Sequence, residues 1–213
     1  EFHQVNPFQS GRSINPHKLG LSGENTKEVM TLLRPFQERF KKIRDEYKNH
    51  TYTISVDDGT EGRAENFTER AFNDLPPEEA YRLLAYFGKD RISYESKIIN
   101  FKHFSQINEK NVDKEGIYII IDDMGSAFNT GNNVAKILKR CGAKRVEHWV
   151  SHIVTMPIDY EKAKSRQYID AVVSLDTVPQ PNELDIEYIP ASAHMLAAEL
   201  YKSHSKFVTS RNN

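Results

Sequence analysis

The chain has 213 residues, 38% of them hydrophobic, which is enough to bury one large core or two small ones, and one principal domain is expected. Its 29 lysines and arginines stand against 30 aspartates and glutamates, a net charge of -1, so no global field draws it to nucleic acid or to an acidic membrane. Cys141 is its single cysteine, which excludes an intramolecular disulfide; no apolar run reaches the ~20 residues of a membrane span, and the start "EFHQVNPF" lacks the basic and apolar regions of a secretory signal. A reducing, soluble compartment is expected: the cytoplasm, or an organelle matrix if a presequence has been removed.

In chain order, "TKEVMTLLRPFQERFKKIRDEY" (26–47) predicts a helix pair or a helix bent at Pro35, where the ring removes a backbone donor. "TYTISVDDGTEGRAENFTERAFN" (51–73) predicts a strand, a tight acidic turn and a helix burying Ala64, Phe67, Ala71 and Phe72. "DLPPEEAYRLLAYFGKD" (74–90) predicts a short helix entered through Pro76 and Pro77. "IYIII" (117–121) is an unbroken apolar run of strand length, which suits a strand buried on both faces of a parallel sheet.

The helical spacing of Val134, Ile137, Leu138 and Cys141 predicts a helix over 132–141, ended by Gly142 as a left-handed cap. Strands follow at 145–152, 170–175 and 185–190, with a short polar helix at 159–166 and a closing helix at 191–202. This alternation predicts an α/β fold with a mainly parallel sheet and helices on both faces.

Two strand-to-helix turns share a composition: Ser55-Val56-Asp57-Asp58-Gly59-Thr60 and Asp122-Asp123-Met124-Gly125-Ser126. In an open parallel sheet, ligands bind where strand carboxyl ends meet helix amino ends. Acids placed there repel a bare phosphate, but they suit sugar hydroxyls or a hard cation bridging to phosphate. An acid after a strand is also a common helix cap; the recurrence in two turns favours a binding role.

From about Ser55 onward the chain resembles the ribose-phosphate pyrophosphokinases (PRPP synthetases), whose fold is phosphoribosyltransferase-like. The resemblance is carried by "IIIDDM", by "AKILKRCGAKRVEHWVSH" with no gap in spacing, by "SLDTVP" and by "ASAHMLAAEL". "SVDDGTEGR" is similar to the family's pyrophosphate loop, closest to its plant-like class. The resemblance implies residues 1–50 as the end of an N-terminal half or linker helices and 51–213 as a phosphoribosyltransferase-like domain.

It also implies transfer of the β,γ-diphosphoryl group of ATP to the anomeric hydroxyl of ribose 5-phosphate, assisted by Mg²⁺, in a protein that forms homo-oligomers. On these terms Asp122 and Asp123 hold the ribose hydroxyls, and Gly125, Ser126, Ala127, Asn129 and Thr130 surround the 5-phosphate. Asp57, Asp58, Gly59 and Thr60 take the diphosphate, Asp57 and His3 serve the metal, and Lys97 is the catalytic basic residue.

The chain departs from the family in the loop after the acids. Ser126-Ala127-Phe128-Asn129-Thr130 lacks one hydroxyl and one glycine, and Phe128 stands where small side chains fit. Much of the family's ATP site lies in an N-terminal half of which at most the final fragment is expected here, and residues 75–91 lengthen the connection before Lys97. Three functions therefore stay open: an active synthetase, a non-catalytic structural or regulatory subunit, or a synthetase or transferase for a larger ribose phosphate such as ADP-ribose.

Overall fold

The computed structural model describes residues 33–91, 97–178 and 183–192. Helix α1 (Leu33–Tyr47) leads through a single 3-10 turn into β1 (Thr51–Ser55), followed by α2 (Glu61–Ala71), α3 (Pro77–Tyr81), β2 (Leu84–Arg91) and β3 (Lys97–Phe101). Then come β4 (Ile117–Gly125), α4 (Asn129–Arg140), β5 (Arg145–Ile153), α5 (Tyr160–Lys164), β6 (Ala171–Leu175) and β7 (Glu187–Ile189). The strands form one sheet in the order β3-β2-β1-β4-β5-β6-β7, parallel throughout except for the β2–β3 hairpin.

The central strand explains the architecture. Ile117 through Ile121 are each no more than 1% exposed, because alternate side chains enter two different cores. Tyr118 and Ile120 pack with Val134, Ala135 and Leu138 of α4, while Ile117, Ile119 and Ile121 meet Phe36 and Phe40 of α1, Ala64 and Phe67 of α2, and Trp149 of β5. Burying each isoleucine contributes roughly 1.5–3 kcal/mol, so helices cover both faces and the strand reads as a continuous apolar run.

Helix α1, read from sequence as lying ahead of a boundary at residue 50, thus packs directly on the sheet. Pro35 sits in its first turn, where a missing N–H costs nothing; the remainder of the expected helix pair lies outside the described residues. So do His3 and most of the closing helix. No helix among the described residues is long and apolar enough to cross a membrane.

Two local outcomes differ from the sequence reading. Leu84–Arg91 is a strand where a helical extension was expected, because "LLAYF" suits either structure and pairing with β1 decides it. Helix α4 begins at Asn129 rather than 132, and β4 continues to Gly125, so Asp122, Asp123 and Met124 belong to the strand and the connection shrinks to three residues.

Gly142 ends α4 as expected. Its φ is 101°, and the Ala143 N–H reaches back to the Leu138 carbonyl at 3.0 Å. Gly142→Ala should therefore lower stability by about 1 kcal/mol, measured as a reduced urea midpoint with an unchanged slope.

Candidate functional site

Because β1 and β4 are adjacent and parallel, their carboxyl ends, and so the two acidic turns, open on the same sheet edge. Side chains alternate along a strand, so Asp122 projects toward the α4 face and Asp123 toward the α2 face. Each meets its own nitrogen-bearing partner. Arg63 of α2 places Nη2 3.0 Å from Asp123 Oδ2, and His148 of β5 places Nε2 3.5 Å from Asp122 Oδ2. The Arg63 contact ties the helix after the first turn to the acid of the second.

Their environments set them apart. Burial alone would raise the Asp122 carboxyl, yet the His148 imidazole and the Asp123 N–H, which donates to Asp122 Oδ1 at 2.9 Å, hold it below the usual range. Asp123 is pushed above that range by burial, against the pull of Arg63 and with a further push from Asp122. A raised folded value means that the native state holds this proton more tightly than the unfolded chain, so this carboxyl's contribution to stability falls as pH rises from the unfolded toward the folded value. Arg63→Met should raise the Asp123 midpoint further, read by NMR of the side-chain carboxyl carbon.

The first turn is built by Thr60. Its hydroxyl accepts the Val56 and Asp57 N–H groups at 3.0 and 3.1 Å and donates to the Asp57 carbonyl at 2.9 Å. Thr60 is therefore buried and closes the turn from inside. Asp57 is half-buried, with Oδ1 accepting the Thr60 N–H at 3.1 Å. Asp58 is 83% exposed and pairs with Lys102, which also meets Glu61. That lysine holds the Asp58 carboxyl below its ordinary range. Lys102 itself is raised, its two carboxylate partners outweighing burial.

Lys97 is brought to this edge by strand geometry. Ser55, the last residue of β1, pairs with Tyr86, so β2 runs on to Arg91 as a free hairpin arm, and Arg91 pairs with Lys97. At about 3.3 Å per residue, this carries the Lys97 backbone on the order of 15 Å beyond β1.

In the second turn Phe128 adopts φ 57° and its ring turns inward, to 4% exposure. It stands edge-on to His148 with centroids 5.6 Å apart. Gly125 and Gly131 make the room: a Cβ at Gly125 would lie 2.6 Å from the Phe128 ring, and one at Gly131 2.3 Å from His148 Nδ1. The bulk that sequence placed in this turn thus fills the core beneath it. Ser126 and Ala127 are half-buried, Asn129 is exposed and Thr130 half-buried at the start of α4. The Asn132 N–H bonds to the Phe128 carbonyl at 2.8 Å, and the N–H groups that precede it at a helix start have no carbonyl to reach within the helix. Thr155 Oγ1 donates to the Ser126 carbonyl at 2.7 Å and fixes the turn from the β5 side.

Mg²⁺ takes oxygen ligands and is usually held by one or two carboxylates plus substrate phosphates. Asp57 fits that chemistry. A Cβ on Gly59 would lie 3.3 Å from Asp57 Oδ1, so the glycine keeps space beside the carboxylate. Among the described residues, no three His, Cys, Asp or Glu side chains cluster as a metal cage.

Sequence reasoning overlooked Arg63, Lys102 and His148. The signal was the charge balance of the acid turns: four carboxylates on one edge need cations, and Arg63 follows the first turn directly.

No protein-family model matches the chain. It is 29% identical over 90 residues to a ribose-phosphate pyrophosphokinase of Prochlorococcus marinus subsp. pastoris, a stretch covering 41% of this chain and 27% of that protein. The crystal structure of a phosphoribosylpyrophosphate synthetase from Mycobacterium smegmatis superposes with a TM-score of 0.55 at 19% identity, over 80% of this chain and 50% of that one. The fold is phosphoribosyltransferase-like. An adenine phosphoribosyltransferase structure aligns with a TM-score of 0.48 at 12% identity, over 68% of this chain and 77% of its own. The chain thus spans about half of the synthetase structure it matches, and the curated match covers about a quarter of that relative.

Proposed function

We propose that this chain binds a ribose 5-phosphate-type sugar phosphate at the β4–α4 turn and contributes it to diphosphate transfer from ATP, as a ribose-phosphate diphosphokinase. The observation that carries the reading is the parallel pairing of β1 with β4, which opens two acidic turns on one sheet edge beside an exposed helix start. Asp122 and Asp123 accept hydroxyl protons of the sugar, and the first N–H groups of α4 with the Thr130 hydroxyl receive the 5-phosphate. Ser126, Ala127 and Asn129 line that turn, and Gly125 lets Phe128 tuck beneath it. Asp57 and Asp58, with Gly59 for close backbone approach, face the diphosphate, and Thr60 holds their turn in shape.

The chemistry that Mg²⁺ supplies when bound is neutralisation of the diphosphate oxygens, with Asp57 as its protein ligand. Lys97, on the hairpin arm, and Lys102, beside Asp58, are the basic groups that stabilise charge on the departing AMP. Residues 51–213 form the sugar-phosphate unit in this reading, and assembly into homo-oligomers follows the resemblance.

A second reading, a non-catalytic subunit, is favoured by the internal pairing of the site: Asp123 is held by Arg63, and Asp58 by Lys102. Calorimetry of the whole chain with ribose 5-phosphate, PRPP and ADP-ribose, each with Mg²⁺, separates the readings. Heat with ribose 5-phosphate or PRPP is the expected result. Heat with ADP-ribose alone assigns a larger ribose phosphate, and no heat with any of them favours the subunit.

A further inference from the structure

His148 is only 2% exposed, and both of its ring nitrogens lack a hydrogen-bond partner. The charged group it faces is Asp122, Nε2 to Oδ2 at 3.5 Å. Around the ring stand Phe128, edge-on at 5.6 Å, and the bare backbone of Gly131. Arg166 lies over the Phe128 ring, 5.6 Å from its centroid. Asp123 and Arg63 are on the opposite face of the sheet, and His152 lies two strand repeats further along β5.

This arrangement is costly on two counts. A buried imidazole with unmet nitrogens loses its hydration without return, and a glycine in a helical turn sacrifices helix stability to accommodate it. An apolar side chain in the same space would avoid the first cost. The contact that only a nitrogen can supply is the one to Asp122.

Resting on the sugar-binding reading of Asp122, we propose that His148 is a positioning residue, whose clamped imidazole fixes the direction in which Asp122 presents its carboxylate to the ligand. The Asp123 N–H already occupies Oδ1 from the main chain. His148 Nε2 stands beside Oδ2 at 3.5 Å, so the main-chain hydrogen bond on one oxygen and the imidazole beside the other favour one orientation of the carboxylate. The depressed Asp122 carboxyl agrees with this geometry.

The test measures the Asp122 carboxyl by NMR titration and ribose 5-phosphate binding by calorimetry, in wild type, His148→Phe, His148→Gln and Asp122→Asn. His148→Phe keeps the ring's bulk and loses its nitrogens. The expected results are an upward move of the Asp122 midpoint and about tenfold weaker binding. His148→Gln, which still offers an N–H, should recover much of both. His148→Phe added to Asp122→Asn should weaken binding no further. Gly131→Ala displaces the ring with His148 intact and should reproduce the midpoint shift if His148→Phe fails to fold.

An unmoved Asp122 midpoint in His148→Phe and Gly131→Ala would overturn the proposal. Failure of the wild type to bind ribose 5-phosphate would instead overturn the sugar-binding reading, and the Asp122 midpoint would still decide the role of His148.

Discussion

Asp122→Asn should weaken ribose 5-phosphate binding between about tenfold and a hundredfold while leaving the fold intact. Replacing the carboxylate by an amide removes charge-assisted hydrogen bonds worth roughly 1.5–3 kcal/mol each, and each 1.4 kcal/mol is a factor of about ten. The side chain keeps its shape, and the Asp123 N–H that Oδ1 accepts can still be accepted by the amide oxygen, so thermal unfolding should move little. Calorimetry alongside a melting curve tests both halves. Unchanged binding in the variant would show that the sugar hydroxyls are held elsewhere.

The largest effect on stability is expected from Trp149→Ala. Trp149 is fully buried, stacked on Phe36 with centroids 5.4 Å apart and edge-on to Phe40 and Phe67. Its Nε1–H donates at 2.8 Å to Glu147 Oε2, a carboxylate only 2% exposed. The cavity alone costs about 3–5 kcal/mol, and Glu147 then relies on Arg145 and Arg39. Against a total of roughly 5–15 kcal/mol for a domain, the variant should unfold at a much lower urea concentration. Trp149→Phe should lie between, since it retains one packed aromatic ring but loses the N–H and the volume of the second ring. A Trp149→Ala loss below about 1 kcal/mol would show that α1 does not depend on this ring for its seat on the sheet.

The legible parts of this chain were those where local chemistry and tertiary demand agree. "IYIII" can be satisfied only by two covered faces, so the central strand and its parallel neighbours followed from it. Gly142 marked the end of α4 because few other residues accept its backbone angle. The paired acids marked the candidate site because carboxylates seldom gather at a strand end without cations or hydroxyls to receive them.

What escaped the sequence reading depends on contacts between distant residues. Leu84–Arg91 became a strand because β1 offered an edge, which no local pattern announces. Phe128 looked like an obstruction because a side chain's direction cannot be read from its identity. Its ring turns inward only because Gly125, Gly131 and His148 shape the space that receives it. Arg63 and Lys102 sit on a helix and beyond a hairpin, so their meeting with the acids exists only once the chain is folded.

That interlock of Gly125, Phe128, Gly131 and His148 governs how this segment could be exchanged with a relative. Phenylalanine grafted alone into a turn whose neighbours carry side chains would have no chamber to enter and would swing outward from the turn. A histidine grafted alone onto the strand would strike the helix. Moved as a block, the four positions carry their own packing with them and keep the same main-chain surface on the turn, so in any chimera they should be treated as one heritable unit.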